Sequence, residues 1–267
     1  RYIARKQETD RLSGISWDAN FNNPMMAAEL EGISDIKQGL GITIRPYGLV
    51  ATQNQHQPDN SHYDWDSQAG LDIYKNITPN LVAAFTYNTD FAETEVDDRR
   101  LNLTRFPLFY PEKRMFFLEG SETFNFSSSV SFSPFFSRRI GLYQGQQVPI
   151  DFGAKLYGKI GKFNLAMLDM EMEESDPLPR TNLFAGRVTY DFLEESKIGI
   201  IFTNGSPPGD NNSLVGFDIN YATSRFAGSK NLWLAAWAAY NWNDEPGRHH
   251  GFGFRANYPN DLIDIES

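Results

Sequence analysis

Acids and bases stand among phenylalanines between positions 91 and 148: Glu93, Glu95, Asp97, Arg105, Glu112, Lys113, Arg114, Glu119, Arg138 and Arg139. A charge set beside apolar bulk is unfavourable unless it is paired. Three chemistries fit such a cluster. It can be an ion-pair network that folds the segment and pins it to a charged wall. It can be a constriction or ligand site, with arginines for an anion or carboxylate and acids for sugar hydroxyls. It can also be catalytic, since paired carboxylates such as Glu112 and Glu119 are the groups that glycoside hydrolysis needs. Spacing in sequence does not fix the separation of two acids, so no catalytic residue is assigned and the ten residues stand as lumen or ligand candidates.

Other chemistry is weaker. Asp59, Asn60, His62, Asp64 and Asp66 offer oxygen ligands, but not at the spacing of an EF-hand, and a solvated loop is expected. His249 and His250 have no third ligand at a zinc-like spacing, and the chain has no cysteine for a thiolate site or a disulfide. There is no glycine-rich phosphate loop and no nucleophile elbow. No metal and no cofactor are expected. The formal net charge of −10 repels a phosphate backbone, which argues against nucleic acid as a partner.

The elements that must position these residues read as strands. Leu40, Ile42 and Ile44 alternate with Gly41, Thr43 and Arg45. Phe152, Ala154, Leu156 and Ile160 oppose Gly153, Lys155, Tyr157 and Lys159, and Phe184, Val188 and Tyr190 oppose Ala185, Arg187, Thr189 and Asp191. Val215, Phe217 and Ile219 oppose Gly216, Asp218 and Asn220, and Phe252, Phe254 and Tyr258 oppose Gly253, Arg255 and Asn257. Period two with one wet face fits an antiparallel sheet. The second face is charged throughout, with Arg45, Asp72, Lys155, Lys159, Arg187, Asp191, Asp218 and Arg255 sharing it by parity. That face is either the solvent side of a soluble sandwich or the water-filled lumen of a membrane barrel. Trp233 and Trp237 oppose Leu232 and Leu234, so one strand is apolar on both sides.

The connections alternate between short and long. Residues 35–38, 76–80, 160–162 and 191–196 make short links, whereas 51–65, 91–148, 171–180 and 204–213 make long ones. Only the 222–230 link breaks the order, being longer than its place allows. This rhythm is expected when every second turn faces the same side of a membrane. Tyr47, Tyr190, Phe192, Tyr221, Trp242 and Tyr258 fall near strand ends, where an interfacial girdle would lie. Aromatic residues make up 14 % of the chain, and a mean hydropathy of −0.47 is compatible with strands that meet lipid on one face only. No apolar run is long enough for a transmembrane helix. The expected fold is all-β, an antiparallel up-and-down transmembrane barrel of roughly ten strands. Residues 1–26 would be a lead-in, residues 27–267 a partial barrel, and residues 91–148 a long insert that fills or caps the lumen. The start at Arg1 and the non-aromatic end at Ser267 suggest a piece of a longer barrel.

Three stretches carry a family resemblance. They are Asn88-Thr89-Asp90-Phe91-Ala92-Glu93-Thr94-Glu95-Val96-Asp97, Phe109-Tyr110-Pro111-Glu112-Lys113-Arg114-Met115-Phe116-Phe117-Leu118-Glu119-Gly120, and Phe135-Phe136-Ser137-Arg138-Arg139-Ile140-Gly141. Asn102-Leu103-Thr104-Arg105-Phe106 and Arg45-Pro46-Tyr47 fit the same pattern. Together they resemble a family of bacterial, mostly Gram-negative, outer-membrane β-barrels known as domain of unknown function 5916. Its members usually carry a family-9-like carbohydrate-binding module ahead of the barrel. The family has no established activity and no assigned catalytic residues. The resemblance implies an outer-membrane location, the lipid bilayer as a partner, and a glycan or small polar solute as cargo or ligand. The expected function is a pore or receptor for such a solute. The alternatives are a soluble or surface β-domain that binds carbohydrate and an outer-membrane glycoside-active enzyme. Neither the solute nor the oligomeric state is fixed by the residues.

Overall fold

The computed structural model describes residues 2–4, 7–9, 39–57, 60–89, 111–126, 132–143, 146–206, 211–243, 249–260 and 263–266. Strands β1 (Tyr2–Ala4) and β2 (Gln7–Thr9) pair with each other near the N-terminus. The body of the chain is one antiparallel sheet of eleven strands. In chain order these are β3 (Ile42–Gln57), β4 (Asn60–Thr78) and β5 (Leu81–Tyr87), and then, after the insert, β8 (Ile150–Ile160) and β9 (Phe163–Met172). The remainder are β10 (Thr181–Asp191), β11 (Lys197–Asn204), β12 (Asn212–Phe226), β13 (Lys230–Asn243), β14 (His250–Asn260) and β15 (Ile263–Glu266). Each strand pairs with its neighbour in sequence, so the sheet is a pure meander. The insert, which contains the small hairpin of β6 (Leu142–Tyr143) and β7 (Gln146–Gln147), leaves and re-enters between β5 and β8 without disturbing their direct pairing.

The sheet is not closed into a barrel: β3 and β15 are its two edges. There is a geometric reason. In a meander of eleven strands the first and last run in the same direction, so they cannot complete an antiparallel ladder, and β15 has only 4 residues against the 16 of β3.

Two links also differ from their sequence reading. The polar stretch at 51–65 is not a long loop, because the β3–β4 ladder continues through it to Gln57↔Asn60. Main-chain pairing does not depend on the polarity of the side chains. The 222–230 link is also shorter than it reads, with β12 running to Phe226 and β13 starting at Lys230. Ala227 and Gly228 take the left-handed backbone that closes so tight a turn, at φ of 48° and 103°. The 222–230 link thus falls into the alternation of short and long links, whereas the β3–β4 link, expected to be long, is short like the β4–β5 link that follows it.

The two faces of the sheet have opposite chemistry, and their burial is the reverse of a soluble sandwich. One face is apolar and exposed: Phe252 is 82 % exposed and Phe254 70 %, and Ile44, Phe85, Phe152, Met167, Ile200, Phe217 and Ile219 share that face. The other face carries Thr86, Lys155, Arg187, Thr189, Asp218, Asn220 and Asn257, and all of these are buried. The main buried apolar cluster lies on this polar side. Phe116, Phe117, Phe124 and Ile140 of the insert pack there against Tyr74, Ala84, Ala166, Leu168, Met170 and Ala185 of the strands. Burying a phenylalanine side chain contributes roughly 1.5–3 kcal/mol, so the insert's own aromatics drive its docking.

Candidate functional site

The insert begins its described course at Pro111 and folds around one ion pair. Arg114 Nε donates to Glu112 Oε1 at 2.9 Å and Arg114 Nη2 to Oε2 at 2.9 Å. Oε1 also accepts the backbone N–H groups of Lys113 and Arg114, at 3.1 and 3.0 Å, and Oε2 accepts the Ser137 hydroxyl at 2.8 Å. The guanidinium spans the insert by donating to the carbonyls of Ile140 and Ser137, at 2.8 and 2.9 Å, and lies 4.0 Å from the Phe117 ring centroid. Both side chains are nearly inaccessible, at 2 % and 8 % exposure. Burial pushes the Glu112 carboxyl up, but the hydrogen bonds and charge of Arg114 outweigh it and hold the group below its usual range. A buried pair with its hydrogen-bonding capacity filled organises two distant pieces of chain.

A second set of contacts fastens the insert to the wall. A helical turn at Met115–Leu118 is followed by Gly120, whose φ is 70°, and by a 3-10 turn at Ser121–Phe124. Gly120 must be glycine twice over, because the conformation is left-handed and a Cβ there would strike the Tyr157 ring. Glu119 then accepts from Arg45 Nη1 at 2.7 Å through Oε1 and from Tyr157 Oη at 3.0 Å through Oε2. Lys155, buried on β8, donates to the main-chain carbonyls of Phe116 and Glu119 and lies 4.8 Å from the ring centroids of both Phe116 and Tyr157.

Farther along the covered face, Arg187 on β10 reaches across β11 to Asp218 on β12, with Nη1–Oδ1 at 2.5 Å and Nη2–Oδ2 at 2.8 Å. Gly199, on the strand between them, makes room: a Cβ there would lie 2.7 Å from Arg187 Nη1. Phe126 of the insert lies over this pair, 5.3 Å from the guanidinium, and Phe132 stacks on Trp237 of β13 at 4.9 Å. Trp237, on the strand that reads as apolar on both sides, therefore meets the insert. At the end with the short links, Lys159 pairs with Asp191 at 2.9 Å.

The structure brings Glu112, Lys113, Arg114, Glu119, Arg138 and Arg139 together in one docked unit on the covered face, with Arg138 buried and Arg139 exposed. Glu93, Glu95, Asp97 and Arg105 lie outside the described residues. Both carboxylates named for glycoside chemistry, Glu112 and Glu119, are engaged by donors of this chain. Lys155 and Tyr157 were legible as wall residues by parity, but nothing in the sequence marked them as the insert's partners. Tyr47 lies over Gly70 on the covered face rather than in an outer girdle. Outer aromatic pairs do stand at the strand ends, with Phe163–Tyr190 at 4.9 Å and Phe226–Tyr258 at 6.2 Å by the short links, and Tyr240–Trp242 at 4.6 Å by the long ones. No group of three or more metal-ligating side chains occurs among the described residues.

Between the insert and the wall, where the long links gather, a cleft of about 410 Å³ remains open. Phe135, Phe136, Arg139 and Tyr143 form its insert side, and Leu168, Leu183, Ala185 and Asn212 its wall side. A shallower groove beside it is bordered by Arg180, Asn182, Ser213 and Trp242.

No curated protein and no solved structure matches the chain. A family match does cover residues 40–155, running from the start of β3 through the whole insert to Lys155. It takes in the Glu112–Arg114 clip, the Glu119 contact and the wall lysine that holds them. Residues 40–155 of this chain match the family described as Domain of unknown function (DUF5916).

Proposed function

We propose that this chain forms part of an outer-membrane β-barrel, whose lumen-side insert governs passage or capture of a small polar or glycan-derived solute. The observation that carries the reading is the inverted polarity of the sheet. Its apolar face is bare across strands β3 to β14, whereas its charged face is covered by the insert. A soluble sandwich buries the apolar face and leaves the charged face in water. A contiguous bare apolar surface of this extent is matched by lipid, and a polar interior holding a folded insert is matched by a lumen. The aromatic pairs at the two ends of the strands support the same orientation, because Tyr and Trp favour the membrane–water interface. The link to glycans rests on the family resemblance.

Membrane association is tested by flotation with phospholipid vesicles after an alkaline wash, alongside size exclusion with and without detergent. The expected result is co-flotation and a monodisperse species in detergent only. A folded, monodisperse protein in plain buffer overturns the reading and favours a soluble or surface β-domain. The luminal role is tested by deleting residues 94–134 from the whole protein. Single-channel conductance in planar bilayers rises if the insert obstructs the lumen, and unchanged conductance places it elsewhere.

A further inference from the structure

The cleft between the insert and the wall has a composition that no fold-holding role explains. Arg114 lies behind it, already saturated by Glu112, Ser137 and Ile140. Arg139, on the same turn as Ser137, borders the open space, is exposed, and has no carboxylate partner among the described residues. Two neighbouring turns of the insert thus use their arginines differently, one to fasten the fold and one to present a guanidinium to the cleft.

The facing wall is apolar at Leu168, Leu183 and Ala185 and carries Asn212 at its rim. Asn212 Oδ1 is buried without a hydrogen-bond partner among the described residues, which is unfavourable unless something supplies a donor. Phe135, Phe136 and Tyr143 supply ring surface on the opposite side.

We propose that this cleft binds a small acidic sugar, a carboxylate-bearing monosaccharide unit. Arg139 takes the carboxylate, because a guanidinium fork matches it in two parallel hydrogen bonds. Asn212 Oδ1 accepts a hydroxyl proton. The aromatic rings cover the C–H face of the sugar. A volume of about 410 Å³ accommodates one such ring and falls within the range of small-molecule sites. The cleft opens at the end of the sheet where the long links lie. Its facing the outside of the cell rests on the barrel reading above, whereas the ligand chemistry does not.

Titration calorimetry of the whole protein with glucuronate, glucose and acetate tests the assignment. Glucuronate is expected to bind at least tenfold more tightly than glucose or acetate. The Arg139→Gln variant should lose at least tenfold in glucuronate affinity while keeping the glucose response, and Asn212→Leu should weaken both sugars. The unfolding midpoint of each variant should stay at the wild-type value, since neither side chain belongs to the Glu112–Arg114 clip. Equal binding of glucuronate and glucose, an unchanged affinity in Arg139→Gln, or no binding to the wild-type protein each overturn the proposal. Failure of glucuronate to bind in a protein that floats with vesicles removes the cleft and leaves the membrane reading standing. Binding by a protein that does not float does the reverse.

Discussion

The ammonium of Lys155 sits 2.6 Å from the main-chain carbonyl oxygen of Glu119, so a wall strand grips the insert by its backbone rather than by a side chain. The same ammonium also takes the Phe116 carbonyl. Lys155→Met keeps the length and volume of the side chain but leaves two carbonyls without a donor. Each such buried acceptor costs about 1–3 kcal/mol. The expected result is a lower urea midpoint and faster cleavage by protease within residues 111–126, while β9 to β13 remain protected. Cleavage at the wild-type rate would show that aromatic burial alone docks the insert.

Arg187 and Asp218 form a different kind of contact, one internal to the wall. Their side chains are 0 % and 1 % exposed, and the bond skips a strand, spanning β11 above Gly199. Removing one partner strands a buried charge, which is expected to cost about 3–5 kcal/mol. Asp218→Asn should therefore destabilise the sheet severely. The double variant Arg187→Met/Asp218→Leu should recover most of that loss, because no charge is then left uncompensated. A double-mutant cycle on denaturation midpoints checks this, and additive losses would mean that the two charges act independently.

The Glu112 carboxyl carries a pH dependence with a definite sign. Its folded value lies below the ordinary 4.5, so the ionised form is favoured by folding. The corresponding stability is fully present above pH 4.5 and drains away as pH falls through the lowered folded value. Glu112→Gln cannot titrate and still offers an acceptor to Arg114. The wild type should lose stability between neutral pH and pH 3, and the variant, weaker at neutral pH, should show a flatter acid limb. Urea midpoints at a series of pH values for the two proteins decide the matter.

The parity of the strands was legible because period two survives any tertiary context once one face is lined by charge and the other by Phe and Ile. The direct pairing of β5 with β8 across the insert also follows from that rhythm, since the insert enters where a long link is due. The Arg45–Glu119 contact was not legible. Its partners are 74 residues apart, and nothing local distinguishes Glu119 from the other acids of the cluster. Gln53, Asn54, Gln55 and His56 read as loop because their side chains are polar, yet β-pairing there is made by the backbone, which polarity does not report. Arg138 and Arg139 are identical in type and adjacent, but one is buried and the other borders the cleft. That difference depends on the direction of a single 3-10 turn at Ser137–Arg139 and is invisible before the insert is docked.

Phe217 distinguishes the two environments available to the bare face of the sheet. It lies near the middle of β12, is 56 % exposed, and pairs across the ladder with Ile200 and Ala238. Against lipid, a charge at this depth is costly, and Phe217→Arg is expected to lose about 2–4 kcal/mol of folding stability in vesicles. Trp242, by contrast, stands at the C-terminal end of β13 beside Tyr240, where an interface would tolerate polarity. Trp242→Arg should therefore lose no more than about 1 kcal/mol. Against water the order is different, because an arginine replacing either exposed aromatic leaves stability nearly unchanged and improves solubility. Urea titrations of the two variants in phospholipid vesicles measure the depth dependence directly. A large loss at Phe217 with a small one at Trp242 is the signature of a bilayer, and equal small losses at both would assign the apolar face to another environment.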